Sequence, residues 1–153
     1  MTDGAYDVVI VGAGAAGCAA AMNLPPGARA LLVDRGDPAE GRCCGGLLAP
    51  DAQAAVRALG LALPEEVCVL PEPHVVCVHD LDCDHEQTYR RQYRNLNRAR
   101  FDAWLLELAA QRVEVRTHTR FVAMEAAGDP AAAGEVTVRL AGKGREETVR
   151  RAW

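Results

Sequence analysis

Four apolar residues in an unbroken run, Val8, Val9, Ile10 and Val11, follow Tyr6 and Asp7 near the amino terminus. A continuous run of this kind fits a strand covered on both faces, as in a parallel sheet, so YDVVIVG is read as one strand. Small residues then recur from Ala15 to Leu24 and predict a helix, stopped by Pro25 and Pro26. Gly27 opens the turn into a second apolar run, ALLVDR. The order strand, helix, strand is a compact βαβ opening.

Farther on the periodicity changes. In PDAQAAVRALG, Ala55, Val56 and Leu59 fall at helical spacing, and Gly60 is placed to end a short helix. From Glu72 the pattern alternates, with Val76 and Val78 on one face and Cys77 and His79 on the other. A turn at DLDCD then returns through EQTYRRQY. Asn97 is a candidate cap for a helix whose Phe101, Trp104, Leu105, Leu108 and Ala109 form one buried stripe. VEVRT predicts another parallel strand. THTRFVAMEA, EVTVRL and EETVRRAW, separated by GDPAAAG and AGKG, predict an antiparallel three-stranded meander.

Composition narrows the class. The 153 residues are enough for one domain with a real core, and the net charge of −4 argues against nucleic acid or an acidic membrane as the main partner. Arginines interleave with Tyr89 and Tyr93 in YRRQYRNLNRAR, but that run is short within an acidic chain. The apolar stretch from Val8 to Met22 is too short and glycine-rich for a membrane span, and the acidic MTDGAYD before it is unlike a secretory leader. Six cysteines without such a leader place the chain in a reducing compartment, the cytoplasm. Cys77, His79, Cys83 and His85 make two Cys-x-His pairs, but the spacing matches no common zinc site and a hairpin's alternation explains it, so no metal is expected.

The chemistry sits in GAGAAG. Gly12 permits a tight turn, Gly14 lets bare backbone approach a pyrophosphate, and Gly17 lets the helix lie close on the strand, with Ala21 keeping that contact close one turn later. The helix start, through Ala15 and Ala16, offers amide donors and the positive end of its dipole to phosphates. Asp34, about 20 residues on, stands where a carboxylate accepts hydrogen bonds from ribose hydroxyls and repels a 2'-phosphate. Strand, turn, helix and acid together indicate dinucleotide binding, and they serve NAD as well as FAD. No Ser-His-Asp set, HExxH helix or Walker loop is present, which leaves a hydrolase or NTPase without support. His74 and His118 have no suggestive partners and read as structural or exposed.

Three stretches together resemble the amino-terminal part of the FAD-binding domain of flavin-dependent oxidoreductases, the superfamily of aromatic hydroxylases and geranylgeranyl reductases. They are GAGAAG with the later Asp34-Arg35, the loop GRCCGGLLAPDAQ, and NLNRARFDAWL, which resembles that superfamily's Arg-x-x-Phe-Asp-x-x-Leu helix. The cysteine-glycine loop points to the geranylgeranyl-reductase-like branch. The resemblance covers nearly the whole chain, residues 1–153, as one FAD-binding domain of doubly wound, Rossmann-like FAD/NAD(P)-binding α/β fold.

Carried over by residue, the resemblance puts Gly12, Gly14, Ala15, Ala16 and Gly17 at the pyrophosphate, Asp34 on the adenosine ribose and Arg35 beside the adenine. Arg98 meets the phosphate side, a role its place after a cap also suits, with an exposed surface arginine as the alternative. Arg42, Cys44, Gly45 and Gly46 lie by the flavin ring, and for Cys44 a packing role stands beside flavin contact. Val122 matches a position whose backbone contacts adenine.

The resemblance further implies a following VGADG-like strand and a Gly-Asp motif, neither of which this sequence contains, so the expectation is a carboxy-terminally incomplete fold with weak or no FAD retention and an exposed sheet edge. Three functions follow. The first is a prenyl-reductase-like enzyme that reduces carbon double bonds, with NADPH or NADH as electron donor. The second is an FAD-dependent aromatic-type monooxygenase, and the third a truncated, non-catalytic nucleotide-binding remnant. The substrate class implied is a small molecule, isoprenoid or aromatic, and no catalytic residue is assigned.

Overall fold

The computed structural model describes residues 5–37, 44–126, 136–142 and 145–151. In chain order the strands are β1 (Ala5–Tyr6), β2 (Val8–Val11), β3 (Ala30–Val33), β4 (Leu47–Leu48), β5 (Val75–Asp80), β6 (His85–Arg90), β7 (Arg94–Asn95), β8 (Glu114–Arg116), β9 (Thr119–Ala126), β10 (Val136–Gly142) and β11 (Arg145–Arg151). The helices are α1 (Ala15–Met22), α2 (Pro50–Ala58) and α3 (Arg98–Ala110). Two compact units result, Met1–Gly41 with Asp102–Trp153, and Arg42–Phe101.

The first unit is built on a three-stranded parallel sheet in the order β2-β3-β8. All four residues of the central strand β3 are buried, as expected of an unbroken apolar run between two neighbours. A second sheet, in the order β1-β11-β10-β9, has antiparallel β9, β10 and β11 with β1 added in parallel. Tyr6, Leu31, Val33, Val138, Leu140 and Val149, drawn from both sheets, form one buried apolar cluster.

YDVVIVG is therefore divided between two sheets and is not the single strand its apolar run suggests. The cause is Asp7, whose carboxylate accepts the Arg29 N–H at 2.8 Å while its own N–H donates to the Arg29 carbonyl at 2.8 Å. Those local bonds bend the chain, so that Ala5 and Tyr6 pair with β11 and Val8–Val11 with β3.

Helix α1 ends at Met22, short of Leu24. A residue before proline is driven out of helical backbone, which excludes Leu24. Asn23 closes the end instead, its backbone N–H on the Ala19 and Ala20 carbonyls and its side-chain amide on Ala19 O at 2.9 Å. In α3, Phe101, Leu105 and Ala109 are buried and Trp104 and Leu108 half-buried, the stripe read from the sequence. Asp102 is fully buried as well, a polar position the stripe does not foretell.

In the second unit, α2 ends as expected, with Gly60 at φ +73° just beyond it. Val56 is buried, but Ala55 is exposed, since the helix turns it away from the covered side. Strands β4 and β7 pair antiparallel, and Asn97 donates its N–H to Val67 O at 2.9 Å. Strands β5 and β6 form an antiparallel hairpin from Val75↔Arg90 to Asp80↔His85. Alternation of this kind suits a hairpin with one half-buried face, yet in these two strands only Val76 is half-buried and the other residues are exposed. Among the described residues no helix is long and apolar enough to cross a membrane.

Candidate functional site

The turn between β2 and α1 is shaped by its glycines. Gly12 has φ +102°, a conformation that disfavours a side chain, and its N–H donates to Val33 O at 2.7 Å. Gly14 is the N-cap of α1 with extended backbone, and its carbonyl accepts the first helical bond, from Cys18 N at 3.0 Å. A Cβ on Gly17 would collide with the Gly12 carbonyl. Close packing of α1 onto this turn thus requires glycine at position 17, and the fully buried Ala21 continues the small-residue face.

Among the described residues no side chain caps α1, and no acidic residue stands in its first turn. The opening amides, around Ala15, Ala16 and Gly17, are therefore left to an external acceptor in a region of positive dipole. Ala15 and Gly17 are half-buried and Ala16 exposed. Such an arrangement is suited to an anion.

Asp34 follows β3 and is buried, 8% exposed. It lies against the glycine turn, accepting the Ala13 N–H on Oδ2 at 2.8 Å and the Gly36 N–H on Oδ1 at 3.0 Å. Its backbone extends the sheet, with Asp34 N on Arg116 O at 3.0 Å and Thr119 N on Asp34 O at 2.7 Å. Arg35 is exposed next to it.

Val122 lies in β9 where the register with β10 shifts. Arg139 faces Ala123 and Leu140 faces Phe121, which leaves Val122 as the extra residue of a bulge. Bulged backbone is released from the ladder, and a register shift of this kind leaves no sequence signal as simple as an apolar alternation.

In the second unit, Arg42 lies outside the described residues. Cys44 and Gly45 are exposed, while Gly46 is buried at φ +72°, with Leu96 N donating to its carbonyl at 2.8 Å. A Cβ there would strike the Leu96 carbonyl, so Gly46 is what lets this loop close on the segment before α3. Asn97 caps α3 by accepting the Arg100 N–H at 3.1 Å, which places Arg98 in the first turn. The Arg98 guanidinium donates to Cys44 Sγ at 3.5 Å. Two of the sequence candidates, Cys44 and Arg98, are thereby brought together.

Sequence reasoning missed a polar clip in the first unit. Tyr6 donates its hydroxyl to Glu114 Oε2 at 2.6 Å, and Arg116 reaches Glu114 Oε1 at 2.7 Å and the Tyr6 hydroxyl at 2.9 Å. The Tyr6 hydrogen bond, with Arg116 beside it, holds the Glu114 carboxyl below its ordinary range despite an opposing push from burial. Burial and the Glu114 carboxylate raise the Tyr6 phenol. Only Glu and Arg two apart on β8 hinted at this arrangement, and nothing in the sequence joined Tyr6 to them.

On the exposed hairpin, His79 faces carboxylates, Asp84 at 3.2 Å and Glu86 at 3.6 Å. Among the described residues no group of three or more His, Cys, Asp or Glu is arranged to hold a metal ion.

No protein-family profile matches the chain. By sequence it is 38% identical over 114 residues to Protein CbrA of Escherichia coli strain K12, an alignment covering 72% of this chain and 32% of the relative. The chain spans about a third of the length of the curated relatives it matches. By structure it is similar to a geranylgeranyl bacteriochlorophyll reductase-like protein from Thermoplasma acidophilum, with a TM-score of 0.74 at 16% identity over 97% of this chain and 37% of that one. It is also similar to the flavin-dependent monooxygenase PieE, solved with FAD and substrate, with a TM-score of 0.75 at 22% identity over 100% of this chain and 30% of that one. The mixed α/β fold is thus shared with these two proteins.

Proposed function

We propose that this chain is the FAD-binding portion of a flavin-dependent oxidoreductase, of the prenyl-reductase-like kind that reduces carbon double bonds in a small-molecule substrate, with NADPH or NADH as electron donor. The observation that carries the reading is the uncapped start of α1, set by glycines at 12 and 17 beside the Asp34 carboxylate. That cradle fits a diphosphate. A side chain at position 17 would close it, and amides with no side-chain cap await an anion.

In this reading Gly12, Gly14, Ala15, Ala16 and Gly17 hold the pyrophosphate. Asp34 accepts from the adenosine ribose, Arg35 lies beside the adenine, and the released backbone of Val122 contacts the same base. Arg98 serves the phosphate side, and the loop of Arg42, Cys44, Gly45 and Gly46 serves the flavin ring. FAD, when bound, supplies hydride transfer to a double bond or activation of oxygen. In this reading the residues of this chain bind and orient it.

A second reading, an FAD-dependent aromatic-type monooxygenase, is supported by the match to PieE over the full chain. Titration of the purified chain with FAD, followed by flavin fluorescence, tests the shared part of both readings. Weak, saturable binding that Gly17→Leu abolishes is the expected result, and binding of NAD in preference to FAD overturns it. Oxygen consumption coupled to nicotinamide oxidation selects the monooxygenase, and anaerobic reduction of an isoprenoid selects the reductase.

A further inference from the structure

Asp34 is held in a way that contact with a ribose does not require. Ala13 is wholly buried, so its N–H has no water to fall back on and must find a partner within the protein. It finds Asp34 Oδ2 at 2.8 Å, across the gap between the glycine turn and the end of β3. The other oxygen, Oδ1, takes the Gly36 N–H at 3.0 Å and fixes the chain just past the same strand. The residue's backbone is pinned too, through Arg116 O and Thr119 N. One carboxylate, with charge-assisted bonds from both oxygens, therefore links the turn before α1 to the segment after β3.

The consequence for the amides is specific. The N–H groups of Gly12 and Ala13 are already committed, to Val33 O and to Asp34. The donors left for an anion begin at the N-cap, Gly14, and continue into the first turn of α1.

We propose that Asp34 is a positioning residue of the phosphate turn: its carboxylate ties the Ala13 amide to the Gly36 amide and holds the turn in its anion-ready form before any nucleotide arrives. The proposal deepens the FAD reading, since it assigns Asp34 a task beyond meeting the ribose hydroxyls. A nucleotide then meets a turn already formed, and the ordering entropy is spent in folding. Asparagine replaces one of the two accepting oxygens with an NH2 donor, which cannot receive the amide that oxygen holds.

Amide hydrogen exchange by NMR on the chain without nucleotide is the direct test. Slow exchange at Ala13 and Gly36 is expected in the wild type. Asp34→Asn should raise the rate at one or both by roughly tenfold or more, the effect of leaving a buried amide unpaired, with Leu31 and Leu32 unchanged. Asp34→Glu, which keeps the charge but moves it out by one methylene, is the second variant and carries the same expectation if the first fails to fold. Unchanged exchange at both amides in the folded variant, or fast exchange at both in the wild type, overturns the proposal.

Titration with FAD and with an FAD analogue lacking the 2'- and 3'-hydroxyls of the adenosine ribose separates positioning from contact. Positioning predicts that Asp34→Asn weakens the analogue as well as FAD, the further loss for FAD reporting the ribose contact, whereas a loss confined to the hydroxylated ligand overturns it. If the wild type binds neither ligand, the FAD reading fails while the exchange measurement still decides the role of Asp34.

Discussion

The β2–α1–β3 segment and the β5–β6 hairpin are both rich in valine and both form strands, yet they use those residues in opposite ways. In the first, β3 is buried at every position, and Gly17 and Ala21 bring α1 in close. In the second, Val75 and Val78 are 54% and 47% exposed and Leu81 at the tip is 87% exposed. Strand-forming sequence fixes the backbone in both cases, but only a covering element turns apolar side chains into stability. Within this chain, the contribution to folding should therefore be concentrated in the first unit and almost absent from the hairpin.

The largest effect should come from Leu31→Ala. Leu31 is fully buried in the cluster with Tyr6, Val138 and Val149, and its truncation should cost about 3 kcal/mol in urea unfolding, through lost transfer energy and the cavity left behind. A loss below about 1 kcal/mol would show that the cluster relaxes freely and is no better packed than the hairpin.

Gly17→Ala is the next. In an ordinary helix the change is favourable by up to about 1 kcal/mol on propensity alone. Here the added Cβ runs into the Gly12 carbonyl, so the sign should reverse and the variant should lose about 2 kcal/mol by urea unfolding. FAD affinity should fall at least about tenfold in parallel, because α1 and the turn separate where the diphosphate would sit. A stabilised variant would remove the steric basis of the site.

These two positions also show how much was legible in advance. Gly12, Gly17, the buried run of β3 and the stripe of α3 were readable because each depends on a few neighbours along the chain and on fixed periodicities. The partnership of β1 with β11, the Ala13–Asp34 link and the bulge at Val122 depend on register between segments distant in sequence, which hydrophobic pattern does not encode. The exposure of the hairpin was unreadable for a different reason. Alternation reports which residues share a face, and whether that face is covered depends on elements elsewhere.

The polar clip should contribute less than the core, and with a pH signature. Glu114 is about half exposed, so its bonds to Tyr6 and Arg116 are worth no more than about 1 kcal/mol after solvent screening. Its carboxyl is held below the unfolded value, so the contribution is present at neutral pH and lost as pH falls through the folded carboxyl's range. The raised Tyr6 phenol works in the other direction, its share persisting below the ordinary tyrosine range and being lost as pH rises through the folded phenol's range. Thermal unfolding of Glu114→Gln against wild type should show a deficit at pH 7 that closes on acidification. A deficit independent of pH would point to packing instead of charge.

The smallest effect belongs to the hairpin. Val75→Thr with Val78→Thr keeps β-branched side chains and strand propensity while making both positions more polar. Both residues are about half exposed, so little apolar burial is lost and the double variant should unfold within about 0.5 kcal/mol of wild type. The same change should leave FAD titration untouched, since neither residue is placed near the nucleotide. A loss above about 1 kcal/mol would mean that the hairpin is covered in solution, by a second copy of the chain or another segment, and the loss would then depend on protein concentration if the cover is a second copy. Unfolding curves at two concentrations differing by about tenfold separate these outcomes, because only association shifts the midpoint with concentration. A near-zero, concentration-independent result would show that the exposed hairpin adds little to the folding energy of this chain.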